Sequence, residues 1–545
     1  MQRPFQVPTS CHSQYATIRL STTHSGEMVA TSRHVSPPRL STPEGHDVSF
    51  NTDNATTPSV VDRMPPEILV YIFQLVQWAT GWQSYPSHTT PAWISFTWVC
   101  RRWRAVALSA PVLWTSIRNA GHPNSLRWLP VFLERAAGAP LDVDITLWAD
   151  DHACAETLRT IQPYSSTIRC FRLCLDNPDE NAYDHLVSPL TEEMRNVEEL
   201  TLLAFLPFGQ IDAGTINASR DQFPRLTSLR LIGPHIPWTS SIYTGLRSLK
   251  INSTAHPPPP LVFFQILRGC PDLEVLEFGI GLPTPSNLGP DGSETSYHVS
   301  LPRMRQMHVR GTLSEIDFIS QYIQVPPTCS IRIRLSGPYD DPVAALVPQQ
   351  RMLQPLLRTC TTFTLSTNHD LADLCMKCGE DYLRMICSVD DFSRLNPETW
   401  SALLGASHHS PIVDFRLTLD VVGAIVSEMW MECFSRFPLL EHVALGTHRH
   451  LQNVWDATSF LRALASPAAD GDSVALTRLR VLQLTSVRLD EPTSLNIISM
   501  LERRASSGAP LSELVLYHCN TGIDVKSFII RLQKLVKLSI RYTKE

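Results

Sequence analysis

The sequence predicts an α/β protein: a disordered tail over residues 1–60, a short helical module over 61–118, and a solenoid of stacked strand units over 119–545. Three observations carry this. The first sixty residues are rich in Ser, Thr, Pro and His and poor in large aliphatics. Residues 61–118 hold two apolar stretches at helical spacing. From about residue 140 a short Leu-rich pattern with the two-residue strand period recurs to the end.

The tail comes first. It cannot bury enough apolar area to offset its ordering entropy, so it reads as disordered. Its four Arg and single acid (Glu27) before residue 44 have a transit-peptide flavour, but no convincing amphipathic helix accompanies them.

Order begins at "VDRMPPEILVYIFQLV", residues 61–76. Asp62 is placed to cap a helix, the prolines suit its first turn, and Glu67 complements the dipole. Ile68, Leu69, Ile72, Phe73, Leu75 and Val76 then form a broad apolar face. The insert 77–92, with Gly81, Pro86 and Pro91, reads as a loop. After the insert, through "WVCRRWRAVALSAPVLW" (residues 98–114), the spacing sets Trp93, Val99, Cys100, Trp103, Val106, Ala107 and Ala110 on one face of a second helix, with Arg101, Arg102 and Arg104 mostly opposite. Pro111 stops that helix.

The third element is the repeat. An L-x-x-L-x-L core recurs at Val197/Leu200/Leu202, Leu226/Leu229/Leu231, Leu246/Leu249/Ile251, Leu273/Leu276/Phe278 and Met304/Met307/Val309. It returns at Leu440/Val443/Leu445, Leu479/Leu482/Leu484, Leu511/Leu514/Leu516 and Leu535/Leu538/Ile540. Between the two groups "IRIRL" (331–335), "FTL" (363–365), "MICSV" (385–389) and "VDFRLTL" (413–419) continue the series. The last two apolar residues of each core point the same way from a short strand, and the first plugs the turn before it. Each unit leaves an apolar face that only its neighbours cover, so the units stack as irregular leucine-rich repeats. Clusters such as "FPRL", "CPDL", "LPRM" and "FPLL" precede several cores, where Pro opens the turn into the strand.

Composition bounds the function. At 545 residues and 43% hydrophobic the chain supports a large core. A net charge of −6 offers no general attraction to nucleic acid or to an anionic membrane. Thirteen scattered cysteines without a secreted framework, and no signal-peptide pattern, point to a reducing compartment, cytoplasmic or nuclear. No uncharged apolar run approaches the ~18 residues of a membrane span. Lys accounts for only six of 46 basic residues, and the first is Lys250. Codon bias towards Arg is the plain explanation.

"MPPEILVYIFQLV" followed, after a loop, by "WISFTWVCRRWRAVALSAPVLW" resembles the F-box in the form found in large fungal F-box families. Met64-Pro65 stands where that motif has Leu-Pro, and the insert is longer than in a minimal F-box. Glu67, Ile68, Leu69, Ile72, Phe73, Val99, Cys100, Arg101, Trp103, Arg104, Pro111, Leu113 and Trp114 match it as they stand. "FLERAAGAPLDVDITL" (132–147) is similar to the segment that leads into leucine-rich repeats in those proteins.

The resemblance implies a substrate-recognition subunit of a Skp–cullin–F-box ubiquitin ligase, not itself an enzyme and without a cofactor. The F-box would dock on the Skp adaptor, through Met64, Pro65, Ile68, Leu69, Phe73, Val99, Cys100, Arg101, Trp103 and Trp114, and the repeats would hold a target protein. Asn252, His308, Arg332 and Tyr517 are candidates for the target face. A receptor held beside a charged ubiquitin donor also has a reason to lack lysines near its adaptor. The alternative is a non-catalytic repeat scaffold with a degenerate F-box, acting outside any ligase.

Other chemistries find little footing. One short Arg/Trp run in an acidic chain is weak ground for nucleic acid. Cys375-Met-Lys-Cys378 is a lone C-x-x-C, and His442, His448 and His450 form only a loose cluster, so no metal is expected. None of the hydrolase, P-loop, dinucleotide or zinc-protease motifs is present.

Overall fold

A computed structural model of the chain describes residues 63–81, 92–118, 128–147, 151–176, 193–205, 215–252, 257–279, 297–337, 351–368, 371–388, 397–407, 410–419, 425–447, 454–466, 474–521 and 525–541, with isolated positions between them. The expected disordered tail and Asp62 lie outside these. Met64–Glu545 forms one compact unit.

Helix α1 spans Pro66–Gly81, with Pro at its first position and Glu67 in its first turn. The Pro65 carbonyl accepts the first bonds, from the N–H groups of Ile68 (3.1 Å) and Leu69 (3.3 Å). Residues 77–81 are therefore helical where a loop was expected. Gln77 uses its side chain to donate to the Leu113 carbonyl at 3.2 Å, so its polarity serves a tertiary tie.

The second helical stretch also departs from expectation. Residues Ala92–Trp98 form a separate 3-10 helix, and α2 starts only at Arg101 and runs to Ser109. Cys100 is extended and caps it, its Sγ accepting the Trp103 N–H at 3.4 Å. Trp93, Val99 and Cys100 thus do not share a helix face with Trp103, Val106 and Ala107, because an N-cap residue must leave helical backbone angles. Pro111 opens a 3-10 turn, Pro111–Leu113, and ends α2 as expected.

The rest of the unit is mixed α/β around one large, mostly parallel sheet, 17-stranded among the described residues. Its first half comprises β1 (Ser116–Arg118), β2 (Leu141–Leu147), β3 (Ile168–Asp176), β4 (Glu199–Phe205), β5 (Ser228–Ile232), β6 (Ser248–Asn252) and β7 (Val275–Phe278). The short β8 (Val299–Ser300) and β10 (Ile323–Gln324) pair separately, and β9 (Gln306–Gly311) and β11 (Ser330–Leu335) continue the sheet. These nine sheet strands pair in chain order, all parallel.

The Leu-rich pattern sets the register. Leu200, Leu229, Leu249, Leu276, Met307 and Ile331 are successive partners across β4 to β11. Two residues on, Leu202, Leu231, Ile251, Phe278, Val309 and Ile333 form a second such row. Both rows are buried. A one-residue slip would turn every one of these side chains to the opposite face, so the hydrophobic pattern locks the pairing.

The proline clusters act as turns into strands. Leu226, Leu273, Met304 and Leu440 each donate a backbone N–H to the residue three back, at 3.1, 3.1, 3.1 and 3.3 Å, across a Pro at the second position. One carbonyl then joins successive units. Glu198 accepts from Thr227 and Ser228, Thr227 from Arg247 and Ser248, and Arg247 from Glu274 and Val275.

The middle of the chain breaks the order. β12 (Thr362–Asn368), β13 (Leu371–Cys378) and β14 (Asp381–Ser388) form an antiparallel meander inserted backwards. β14 lies beside β11 and β12 beside β15 (Asp414–Thr418), both pairs parallel. The 331, 363, 385 and 413 segments are strands as expected, but they do not follow one another in space. β13 is the reason. Its alternation buries Ala372, Leu374 and Met376, and a two-residue hairpin with Gly379 at φ +61° returns the chain into β14. Chain order resumes through β16 (His442–Gly446), β17 (Val481–Thr485), β19 (Glu513–Tyr517) and β21 (Lys537–Arg541). A second small pair joins β18 (Arg488–Leu489) and β20 (Asn520–Thr521).

Candidate functional site

Two aromatic clusters build the helical module. Phe73 of α1 packs on Phe96 and Trp103, with ring centroids at 5.7 and 5.4 Å. Trp93 and Trp114 meet edge to face at 5.0 Å, and Phe132 closes on Trp114 at 4.9 Å. Phe132 belongs to α3 (Leu129–Arg135), so the module and the strand that follows share one core. Arg135 covers the Trp114 ring at 4.5 Å. Arg102 donates to the Met64 carbonyl and draws α2 against the start of α1.

These ties split the apolar residues into two groups. Leu69, Phe73 and Trp114 lie in the core and have no surface to offer a partner. Met64 and Trp103 are half-buried, while Pro65, Ile68, Val99, Cys100 and Arg101 are exposed. Sequence reasoning missed Tyr71, Leu75, Trp98, Leu108 and Val112, all exposed. A signal for α1 existed in its width. Ile68, Tyr71 and Leu75 recur at three and seven residues, a stripe separate from that of Leu69 and Phe73.

The concentration is the main property of this surface. Of twelve exposed large apolar side chains among the described residues, seven fall between residues 68 and 112. Trp98 is 72% exposed, Val99 59% and Tyr71 58%. Exposed apolar side chains at this density within one helical module make it the candidate interaction surface among the described residues. Arg101 and Arg104 are exposed beside it.

The thiols and histidines assemble nothing comparable. A three-residue step along a strand puts Cys375 and Cys378 on opposite faces of β13. No group of three metal-ligating side chains occurs among the described residues, where His448 and His450 are not included. Burial pushes the Cys329 and Cys360 thiols up to about 12, and that of Cys433 higher still.

On the polar face of the sheet, His308 and Arg332 are register partners, and Asn252 donates to Glu277 at 2.8 Å. Tyr517 lies on β19, well along the sheet from them. Burial, with Lys250 and Arg332 nearby, holds the His308 imidazole below its usual range against the opposing pull of Glu277.

A comparison of the chain with models of known protein families finds no match, and no curated protein matches it. Among the described residues, no helix is long and apolar enough to cross a membrane.

Proposed function

We propose that this chain is the substrate-recognition subunit of a Skp–cullin–F-box ubiquitin ligase, with residues 61–118 as its F-box and the following sheet units as an irregular leucine-rich-repeat solenoid that holds a target protein. The observation that supports it best is the apolar surface of α1, the Trp98–Cys100 turn and α2, supplied by the same segments that resemble the F-box. Ile68, Val99 and Trp98 would insert into the adaptor. Leu69, Phe73 and Trp114 would serve from inside, by holding those side chains in position. The in-register ladder of Leu rows supports the repeat half of the reading. Ubiquitin transfer itself belongs to other subunits, so this chain contributes binding.

The test is capture of a Skp-type adaptor by the full-length protein. Ile68→Ala and Trp98→Ala should each weaken capture at least tenfold while the melting temperature stays unchanged, since exposed truncations cost within about 0.5 kcal/mol. If folded wild-type protein captures no Skp-type adaptor, the proposal fails. Stable complexes recovered from cells without adaptor would then favour the scaffold.

A further inference from the structure

At several places on the sheet's polar face a cation stands against a carboxylate on the next strand. Arg172 is the register partner of Asp144 and lies 3.8 Å from it. Lys537 is the partner of Glu513 at 3.4 Å. Arg169 and Asp142 meet at 2.8 Å. This is the arrangement that stabilises neighbouring strands.

One region inverts the rule. Arg230 is the register partner of Lys250, Arg310 of Arg334, and Arg332 of Arg384. His308 completes a block with Arg310, Arg332 and Arg334 on two adjacent strands. Like charges directly opposite one another destabilise a sheet. Carboxylates relieve only the ends of this region: Asp373 pairs with Arg384 at 2.6 Å, and Glu277, which also accepts from Asn252, is the register partner of both Lys250 and His308. No carboxylate is a register partner of Arg310, Arg332 or Arg334. Lys250, Arg310, Arg332 and Arg334 have no ion pair among the described residues, and the Arg332 Nε has no hydrogen-bond partner. Arg310 and Arg334 are exposed. Folding alone gives no reason for Arg310 and Arg334 to stand opposite each other beside Arg332 in a chain of net charge −6.

We infer that this stretch of the sheet face, from β5 to β14, binds an extended anionic peptide segment of the target protein, carrying either Asp/Glu or phosphorylated side chains. The inference rests on the reading of the sheet as the target-holding half of a ligase receptor. Strand spacing puts Arg230 and Arg384 about 24 Å apart, the reach of roughly seven extended residues. Guanidinium groups suit both carboxylates and phosphates, which they bind as forks. Nucleic acid fits less well, because among the described residues Tyr382 of β14 is the one Phe, Tyr or Trp on this face from β5 to β14, too few for successive bases to stack upon.

The experiment is fluorescence anisotropy on the full-length protein with labelled eight-residue peptides: one alternating Asp and Glu, one carrying phosphoserines, one of Gln and Asn, and a uridine octamer. At least one anionic peptide should bind, more weakly as salt rises, and the better of the two identifies the source of charge. Arg310→Ser with Arg334→Ser should weaken that binding at least tenfold without lowering the melting temperature. Arg303→Ser, at an exposed ion pair with Asp272, should leave it unchanged. Equal binding of the neutral peptide, unchanged affinity in the double variant, or tighter binding of the uridine octamer each overturns the inference. Adaptor capture, measured on the same variants, distinguishes this failure from failure of the ligase reading.

Discussion

The indole Nε1 of Trp114 donates to the carbonyl oxygen of Ala107 at 2.8 Å, binding the turn after Pro111 back onto the helix that it ends. The ring meanwhile holds Trp93, Phe132 and Arg135. Trp114→Phe keeps part of the packing and loses the bond, which should cost about 1–3 kcal/mol. Trp114→Ala should cost about 3–5 kcal/mol. Urea denaturation measures both, and a neutral Trp114→Ala would contradict this core.

Cys100 caps α2 with a sulfur, a weak acceptor. A hydroxyl at the same place is a strong cap. Cys100→Ser should therefore raise stability by about 0.5–1 kcal/mol. A thermal melt that shifts downward would refute the capping role.

Arg504 is fully buried near the end of the helix Glu491–Ser506. Its two terminal nitrogens donate to the Ala475 and Leu476 carbonyls at 2.7 and 2.8 Å, and Leu476 holds φ at +56°. Burial lowers the guanidinium to about 10. Arg504→Met relieves a desolvated charge but orphans two carbonyls at a strained backbone. The orphans should win, with a loss of about 2 kcal/mol in chemical denaturation. Arg503→Met, one position away, should be close to neutral.

His308 sets a sign for pH dependence. Between the ordinary 6.5 and its lower folded value, the unfolded chain holds a proton that the folded chain lacks. Stability contributed at neutral pH is thus lost as pH falls through that window. His308→Asn should flatten the acid side of the stability profile relative to wild type. Identical slopes would mean that the imidazole has no such burden.

The lysine pattern yields a cellular prediction. Arg159→Lys and Arg225→Lys, both at exposed positions, keep the charge and add ubiquitin acceptors to a stretch that has none before Lys250. Their combination should shorten the protein's half-life in a way that depends on an active cullin. An unchanged half-life leaves codon bias as the whole explanation.

Much of this molecule was legible in one dimension. The Leu rows from Leu200 to Val309, the plugs such as Leu226 and Met304, and the Pro turns are all local patterns whose period dictates which face is buried. Helix α1 and the stop at Pro111 were legible for the same reason. The rest depended on distant partners. Sequence could not divide Ile68 from Leu69, because both are apolar on a broad helical face and only packing against Phe96 and Trp103 decides which side is inside. Cys100 left its helix to become a cap, and Gln77 joined one to reach Leu113. Arg504 resembled any solvated cation in a last turn until two carbonyls from another segment enclosed it.

The backward meander at β12–β14 was hidden because periodicity identifies strands but says nothing of the order in which they pair. The cation–cation pairs were invisible for the same reason: Arg310 and Arg334 are 24 residues apart in the chain and become neighbours only through register. By itself the sequence determined the elements and their buried faces, which follow from spacing and side-chain chemistry. Only the tertiary structure decided which apolar residues are left outside and which charges are forced together, because both are set by contacts between segments far apart in the chain.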